Sequence, residues 1–128
     1  MTDIAVDSST LVDYLAGEKG RDVQYLQEMI LGQNAYLPPA VVTEILSFIG
    51  ISSIMINKIN RLPLLSVETG YWQRAGEMRR KLLAKKLKAK TTDALIAQSC
   101  IDHDIPLLTR DDDFHHYAEH CGLKLALS

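Results

Sequence analysis

Cysteine is scarce in this chain: Cys100 and Cys121 are two among 128 residues, too few for a disulfide framework. With no secretory signal at its start, the sequence predicts free thiols in a reducing cytoplasm. Seven glycines and four prolines are too few for a collagen-like or low-complexity chain. Long apolar runs are missing as well. The longest mainly apolar stretch, 46–56, is broken by serine and glycine and falls short of the roughly 18 residues a membrane span needs, so no membrane role is expected. Bulk positive charge is also absent. Fourteen basic residues against 16 acidic leave a net charge of −2, which argues against nucleic-acid binding through overall charge alone. No glycine-rich phosphate loop and no G-x-S-x-G elbow occurs, so nucleotide-cofactor and serine-hydrolase readings lack support.

What is present describes an ordinary globular chain, 47% hydrophobic and 23% charged. A chain of this length forms one domain, here spanning 1–128, and buries roughly two-thirds of its unfolded surface without staples. The charge is neutral on average but polarised in detail. Arg79, Arg80, Lys81, Lys85, Lys86, Lys88 and Lys90 place half the basic residues within twelve positions, and Asp102, Asp104, Asp111, Asp112 and Asp113 follow closely.

Short apolar runs at Ile4–Val6, Ala35–Leu37, Leu64–Val67, Ile105–Thr109 and Leu123–Leu127 read as strands. Helical spacing fills the intervals. The first helix follows Ser8 and ends at Gly17; the next runs from Asp22 to Gly32. A third starts at Pro39, a favourable first helical residue, and continues to about Phe48. Ile51–Ile59 reads as helical, and Tyr71, Ala75, Met78 and Leu82 make one stripe of a longer helix. The helix opened by Thr91-Thr92 is apolar nearly all round and should be buried, and a last helix spans Asp111 to about His120. This alternation predicts an α/β fold: three layers, α/β/α, around a mainly parallel central sheet.

In such sheets, ligands sit beyond the carboxyl ends of the strands. Asp7 ends the first strand, Asp111 follows the strand 105–109, and Asp93 lies in the first turn of the buried helix. Each also fits a structural role, as turn residue, dipole partner or helix cap. Glu44 adds weight to the functional reading. It is the sole charge in its helix, shares a face with Val41 and Phe48, and has no lysine or arginine within a turn. Buried, it would need a counter-charge, for which a metal ion is a candidate; at the helix edge it could instead reach water. Acids gathered in one crevice repel each other, and a hard divalent cation removes the conflict. Such a pocket suits metal-assisted phosphodiester hydrolysis.

Val6-Asp7-Ser8-Ser9, Val42-Thr43-Glu44-Ile45, Thr92-Asp93-Ala94-Leu95-Ile96-Ala97 and Leu108-Thr109-Arg110-Asp111-Asp112-Asp113-Phe114 together resemble the PIN-domain family. Within it, the chain is most similar to VapC-type toxins of bacterial toxin–antitoxin pairs, from about residue 3 to 127. The resemblance implies a sheet with helices on both sides and a Mg²⁺- or Mn²⁺-dependent endoribonuclease held in check by a cognate antitoxin. Asp7, Glu44, Asp93 and Asp111 match its acidic positions, with Asp7, Asp93 and Asp111 holding the ion and Glu44 completing the pocket. Thr109 and Ser9 match small hydroxyl positions beside it. Asp113 is an alternative ligand or a supporting group, and Asp112 should face solvent.

The run 79–90 either contacts RNA backbone, chiefly through Lys85, Lys86, Lys88 and Lys90, or is a solvated helix face. The first holds if the loop 84–90 borders the acidic pocket. Ile45–Ile59 reads as core, with the alternative of a patch for a second copy or an antitoxin helix. His115, His116, Glu119, His120 and Cys121 lack the converging ligands of a zinc site. A receiver-like signalling module would need a phosphorylatable aspartate ending a central strand and a lysine after a later one; here the mid-chain acid is helical Glu44, and Arg110 follows Thr109. A PIN-like domain that binds RNA or protein without turnover stays compatible with the sequence.

Overall fold

The computed structural model describes residues 2–127. Its elements run β1 (Ile4–Val6), α1 (Ser8–Leu15), α2 (Arg21–Leu31), β2 (Ala35–Tyr36), α3 (Pro39–Leu46), α4 (Ser53–Asn60), α5 (Tyr71–Ala84), α6 (Thr91–Asp102), β3 (Leu107–Leu108) and α7 (Phe114–Cys121). The three strands are parallel and ordered β2-β1-β3. Ile4 and Ala5 pair with Ala35 and Tyr36 on one side, while Ala5 and Val6 pair with Leu107 and Leu108 on the other. Every residue of β1 is buried, as expected of a central parallel strand that is covered on both faces. Helices flank the sheet in the three-layer α/β/α arrangement, with α5 packed on α6, α1 on α2, and α3 against both α1 and α6. No helix among the described residues is long and apolar enough to cross a membrane.

Two expected strands shrink to single bridges. Leu64–Val67 contributes only the parallel pairing of Leu64 with Leu37. Leu65 donates to the Leu37 carbonyl, but Leu64 and Val67 are exposed and the chain then leaves the sheet. Leu123–Leu127 pairs only at Leu125, with Leu107, and turns away at Leu127, whose φ of +62° breaks the extended backbone. The last helix starts at Phe114 rather than Asp111. Thr109 Oγ1 accepts from the Asp111 backbone N–H and Asp111 Oδ1 accepts from that of Asp113, and these local bonds hold a turn that competes with helix.

The segment 45–59 is not simply core. Ile45 and Ile59 are buried, but α3 ends at Leu46 and α4 begins only at Ser53. Between them the chain turns through Gly50 at φ +84°, leaving Phe48 and Ile49 exposed; Ile54, in α4, is exposed as well. α6 is buried over most of its surface, as its sequence indicates: Asp93, Ala94, Ile96, Ala97, Gln98, Ser99 and Cys100 are all enclosed.

Candidate metal centre

Parallel pairing of β1 with β3 puts their carboxyl ends side by side, since the Asp7 N–H donates to the Leu108 carbonyl. Asp7 follows β1 directly, and Thr109 follows β3. Although Asp7 occupies the cap position of α1, its side chain caps nothing. Its Oδ2 accepts instead from Thr109 Oγ1 (2.8 Å) and Ser9 Oγ (2.9 Å). Two hydroxyls thus fix a buried carboxylate between the strand exits. Ser9 Oγ also accepts from the Arg110 backbone N–H, which ties the start of α1 to the loop after β3.

The first turn of α6 brings in Asp93, which is buried with 8% exposure. Carboxylate oxygens of Asp93, Asp111 and Asp113 lie within 4.8 Å of one another. A single cation can bridge oxygens at that spacing, and an all-carboxylate set suits a hard divalent ion such as Mg²⁺ or Mn²⁺. Asp7 and Glu44 lie outside this trio but within its field. Burial, then the charges of Asp111 and Asp7 and more weakly Glu44, push the Asp93 carboxyl up to about 6, against partial relief from Lys90. Of the four sequence-predicted acids, Asp93 and Asp111 therefore share one cluster with Asp113, and the charges of Asp7 and Glu44 reach it. Asp112 is exposed, as expected.

Asp102, in the last turn of α6, shows what an acid looks like when the fold supplies its partner. Burial raises its carboxyl, but Arg74 forks onto it at 2.6 and 3.0 Å, Gln98 adds a third bond, and the balance falls below the ordinary value. No lysine or arginine among the described residues makes such an ion pair with Asp7, Glu44, Asp93 or Asp111. Glu44 is half-buried rather than buried. Its partner is the Ser8 hydroxyl, 2.5 Å from Oε1, so the helix edge and a neutral donor meet part of its need.

The basic loop does border the acids. Arg79 Nε donates to the Ala89 carbonyl and pins the loop, Lys88 Nζ sits 3.1 Å from Asp113 Oδ2, and Lys90 precedes α6. Lys85 and Lys86 are exposed and make no ion pair among the described residues. Asp113 is thus both a member of the trio and a partner of Lys88.

Three features escaped the sequence reading. Ser8 as the partner of Glu44 was hidden in the Ser8-Ser9-Thr10 run. Arg110 joins Asp22 of α2 at 2.5 and 2.8 Å and Asp13 of α1 at 2.5 Å, which lashes the loop carrying Thr109 and Asp111 to two helices. The Asp22 carboxyl is held below its ordinary value chiefly by that arginine. Beside the acids, finally, runs an apolar groove of about 540 Å³, walled by Glu44, Phe48, Val67, Tyr71, Trp72 and Leu95 and reaching Thr92 next to Asp93. Periodicity marks Tyr71 as core but gives no sign that Trp72 and Phe48 face a common groove.

A short parallel sheet with acids gathered beyond its strand exits puts the candidate site where open α/β sheets carry their ligands. This chain belongs to the PIN domain family, whose profile matches residues 4–120. No curated protein sequence matches it. Among solved structures it is similar to the DNA-bound VapBC complex of Salmonella typhimurium (TM-score 0.75, 16% identity, 98% of this chain and 97% of that one). It is also similar to VapBC2 of Rickettsia felis bound to a promoter DNA fragment (TM-score 0.73, 18% identity, 97% of each chain). VapBC-1 of nontypeable Haemophilus influenzae aligns at TM-score 0.72 with 16% identity, over 97% of this chain and 96% of that one.

Proposed function

We propose that this chain is a metal-dependent endoribonuclease and the toxin of a type II toxin–antitoxin pair. The support is one observation above all: Asp93 is buried, has no lysine or arginine in ion-pair contact among the described residues, and shares a 4.8 Å cluster with Asp111 and Asp113. An isolated buried charge is costly, and a divalent cation is the partner that this donor set fits.

Asp7, Asp93 and Asp111 hold the ion directly or through water, with Asp113 as an additional ligand. Bound there, Mg²⁺ or Mn²⁺ supplies activation of a water and offsets charge on the phosphodiester. Thr109 and Ser9 keep the Asp7 carboxylate aimed between the strand exits through their two hydrogen bonds. Glu44, steadied by Ser8, lies on the groove side, where it orients the attacking water. Lys85, Lys86 and Lys90 lie on the exposed loop that Lys88 joins to the acids, and they neutralise RNA phosphates without reading sequence. The similar solved structures are of VapBC complexes, and the exposed apolar residues Phe48, Ile49, Ile54 and Trp72 offer the surface that an antitoxin or a second copy of the chain would cover.

Cleavage of single-stranded RNA by the purified protein tests this reading. Activity should vanish in excess chelator, return with Mg²⁺ or Mn²⁺, and be absent in Asp93→Asn at every metal concentration. Mn²⁺ binding without any chelator-sensitive cleavage would instead mark a PIN domain that binds its partners without turnover.

A further inference from the structure

We propose that Lys88 is the chain's own counter-ion for the acidic cluster, and that a divalent cation enters by displacing the Lys88 ammonium from Asp113. This rests on the metal-binding reading above and extends it to the question of which ions the site accepts.

The loop delivers Lys88 to the acids by construction. On one side Ala89 is buried and its carbonyl is held by Arg79 at 2.7 Å; directly beyond it, Lys90 precedes α6, whose first turn carries Asp93. The backbone around Lys88 is therefore held by α5 through Arg79 and runs directly into α6, which supplies Asp93. Its ammonium lies 3.1 Å from Asp113 Oδ2, and it is the cation paired with the trio among the described residues. One paired positive charge, with weaker relief from Lys90, set against Asp93, Asp111 and Asp113 leaves the cluster under-compensated.

The pair is also easily opened. The Lys88 side chain is 59% exposed, so its ammonium can return to water at small cost. A tethered lysine acts at high effective concentration. A monovalent ion competes with it charge for charge and gains nothing by replacing it, whereas a divalent ion gains a whole extra charge. Lys88 thereby sets the affinity threshold of the site and makes it select double charge. Asp113, released from the lysine, becomes the exchangeable ligand, while Asp111 stays held in the loop turn.

Isothermal titration of the full chain with Mn²⁺, without RNA, tests this in wild type, Lys88→Ala and Lys88→Arg. Removing the competing charge should tighten Mn²⁺ binding about fivefold, the scale of an exposed ion pair. Lys88→Arg should stay near wild type. Raising NaCl should weaken Mn²⁺ binding more in Lys88→Ala than in wild type, because Na⁺ then meets no resident cation. Equal or weaker Mn²⁺ binding in Lys88→Ala, with normal binding in wild type, would overturn the role of Lys88 alone. Failure of the wild type to bind Mn²⁺ would overturn the metal reading, and this inference with it.

Discussion

Asp93→Asn should stabilise the metal-free protein at neutral pH even as it removes metal binding. In the folded chain the Asp93 carboxyl is pushed from 3.8 up to about 6, by burial first and by Asp111 and Asp7 next. That displacement of about two pH units, at about 1.4 kcal/mol each, makes ionised Asp93 a destabilising group worth about 3 kcal/mol at pH 7. An asparagine has no charge to desolvate and can donate to the neighbouring carboxylates. It does need those hydrogen bonds, so the net gain should be about 1–3 kcal/mol, roughly 5–10 °C in melting temperature for a domain of this size. The sign with pH is fixed by linkage. Between about pH 4 and 6 the folded state holds the Asp93 proton while the unfolded state has released it. Wild-type stability therefore falls as pH rises through that window, and the advantage of Asp93→Asn opens across it and then stays constant. Thermal unfolding of both proteins in chelator, from pH 4 to 7.5, measures the gap. Adding Mn²⁺ should reverse the order by raising the wild-type midpoint alone. A gap of the opposite sign at pH 7, or one that does not vary between pH 4 and 6, would show that Asp93 is not held against unrelieved negative charge.

Mn²⁺ affinity should fall about tenfold per pH unit below 6 and level off above 7, because binding needs Asp93 ionised; an affinity flat down to pH 5 contradicts this. Ser8→Ala takes away the Glu44 partner and should lower the cleavage rate several-fold without a matching loss in melting temperature. Asp22→Asn, remote from the acids but joined to Arg110, should lower the melting temperature by a few degrees, and the loss should shrink as the pH drops and the wild-type carboxyl protonates. Tyr117→Phe deletes a buried hydroxyl that has no hydrogen-bond partner among the described residues, so chemical denaturation should show it neutral or up to about 1 kcal/mol more stable.

The parts of this molecule legible in its sequence are those whose signal is local. Ile4-Ala5-Val6 followed by Asp7 declares a buried strand ending in an acid, and the nearly uniform apolarity of 94–101 declares an enclosed helix. Leu64–Val67 and Leu123–Leu127 carry the same apolar signal, yet each finds only one pairing partner, and whether a neighbour lies alongside is decided by tertiary structure. The triple aspartate shows the same limit at shorter range. The helix start slips to Phe114 because side chains of Thr109 and Asp111 capture backbone N–H groups first. At the acid site, residue types and order were enough to nominate Asp7, Glu44, Asp93 and Asp111, of which Asp93 and Asp111 share a cluster with Asp113, while Asp7 and Glu44 act on Asp93 through their charge. What holds them was not readable. Ser8 meets Glu44 across 36 residues and Arg110 meets Asp22 across 88, and no periodicity encodes such partners. Lys88 was visible as one charge in a basic run, but its contact with Asp113 depends on how the loop before α6 is pinned.

Diffraction from crystals grown with Mn²⁺, collected where manganese scatters anomalously, asks most directly whether these acids exist to hold a metal. One strong peak should lie among the oxygens of Asp93, Asp111 and Asp113, on the side facing Asp7, with the Lys88 ammonium swung away. Peaks confined to surface histidines or lattice contacts, with the cluster bare and Lys88 still on Asp113 at saturating Mn²⁺, would contradict it.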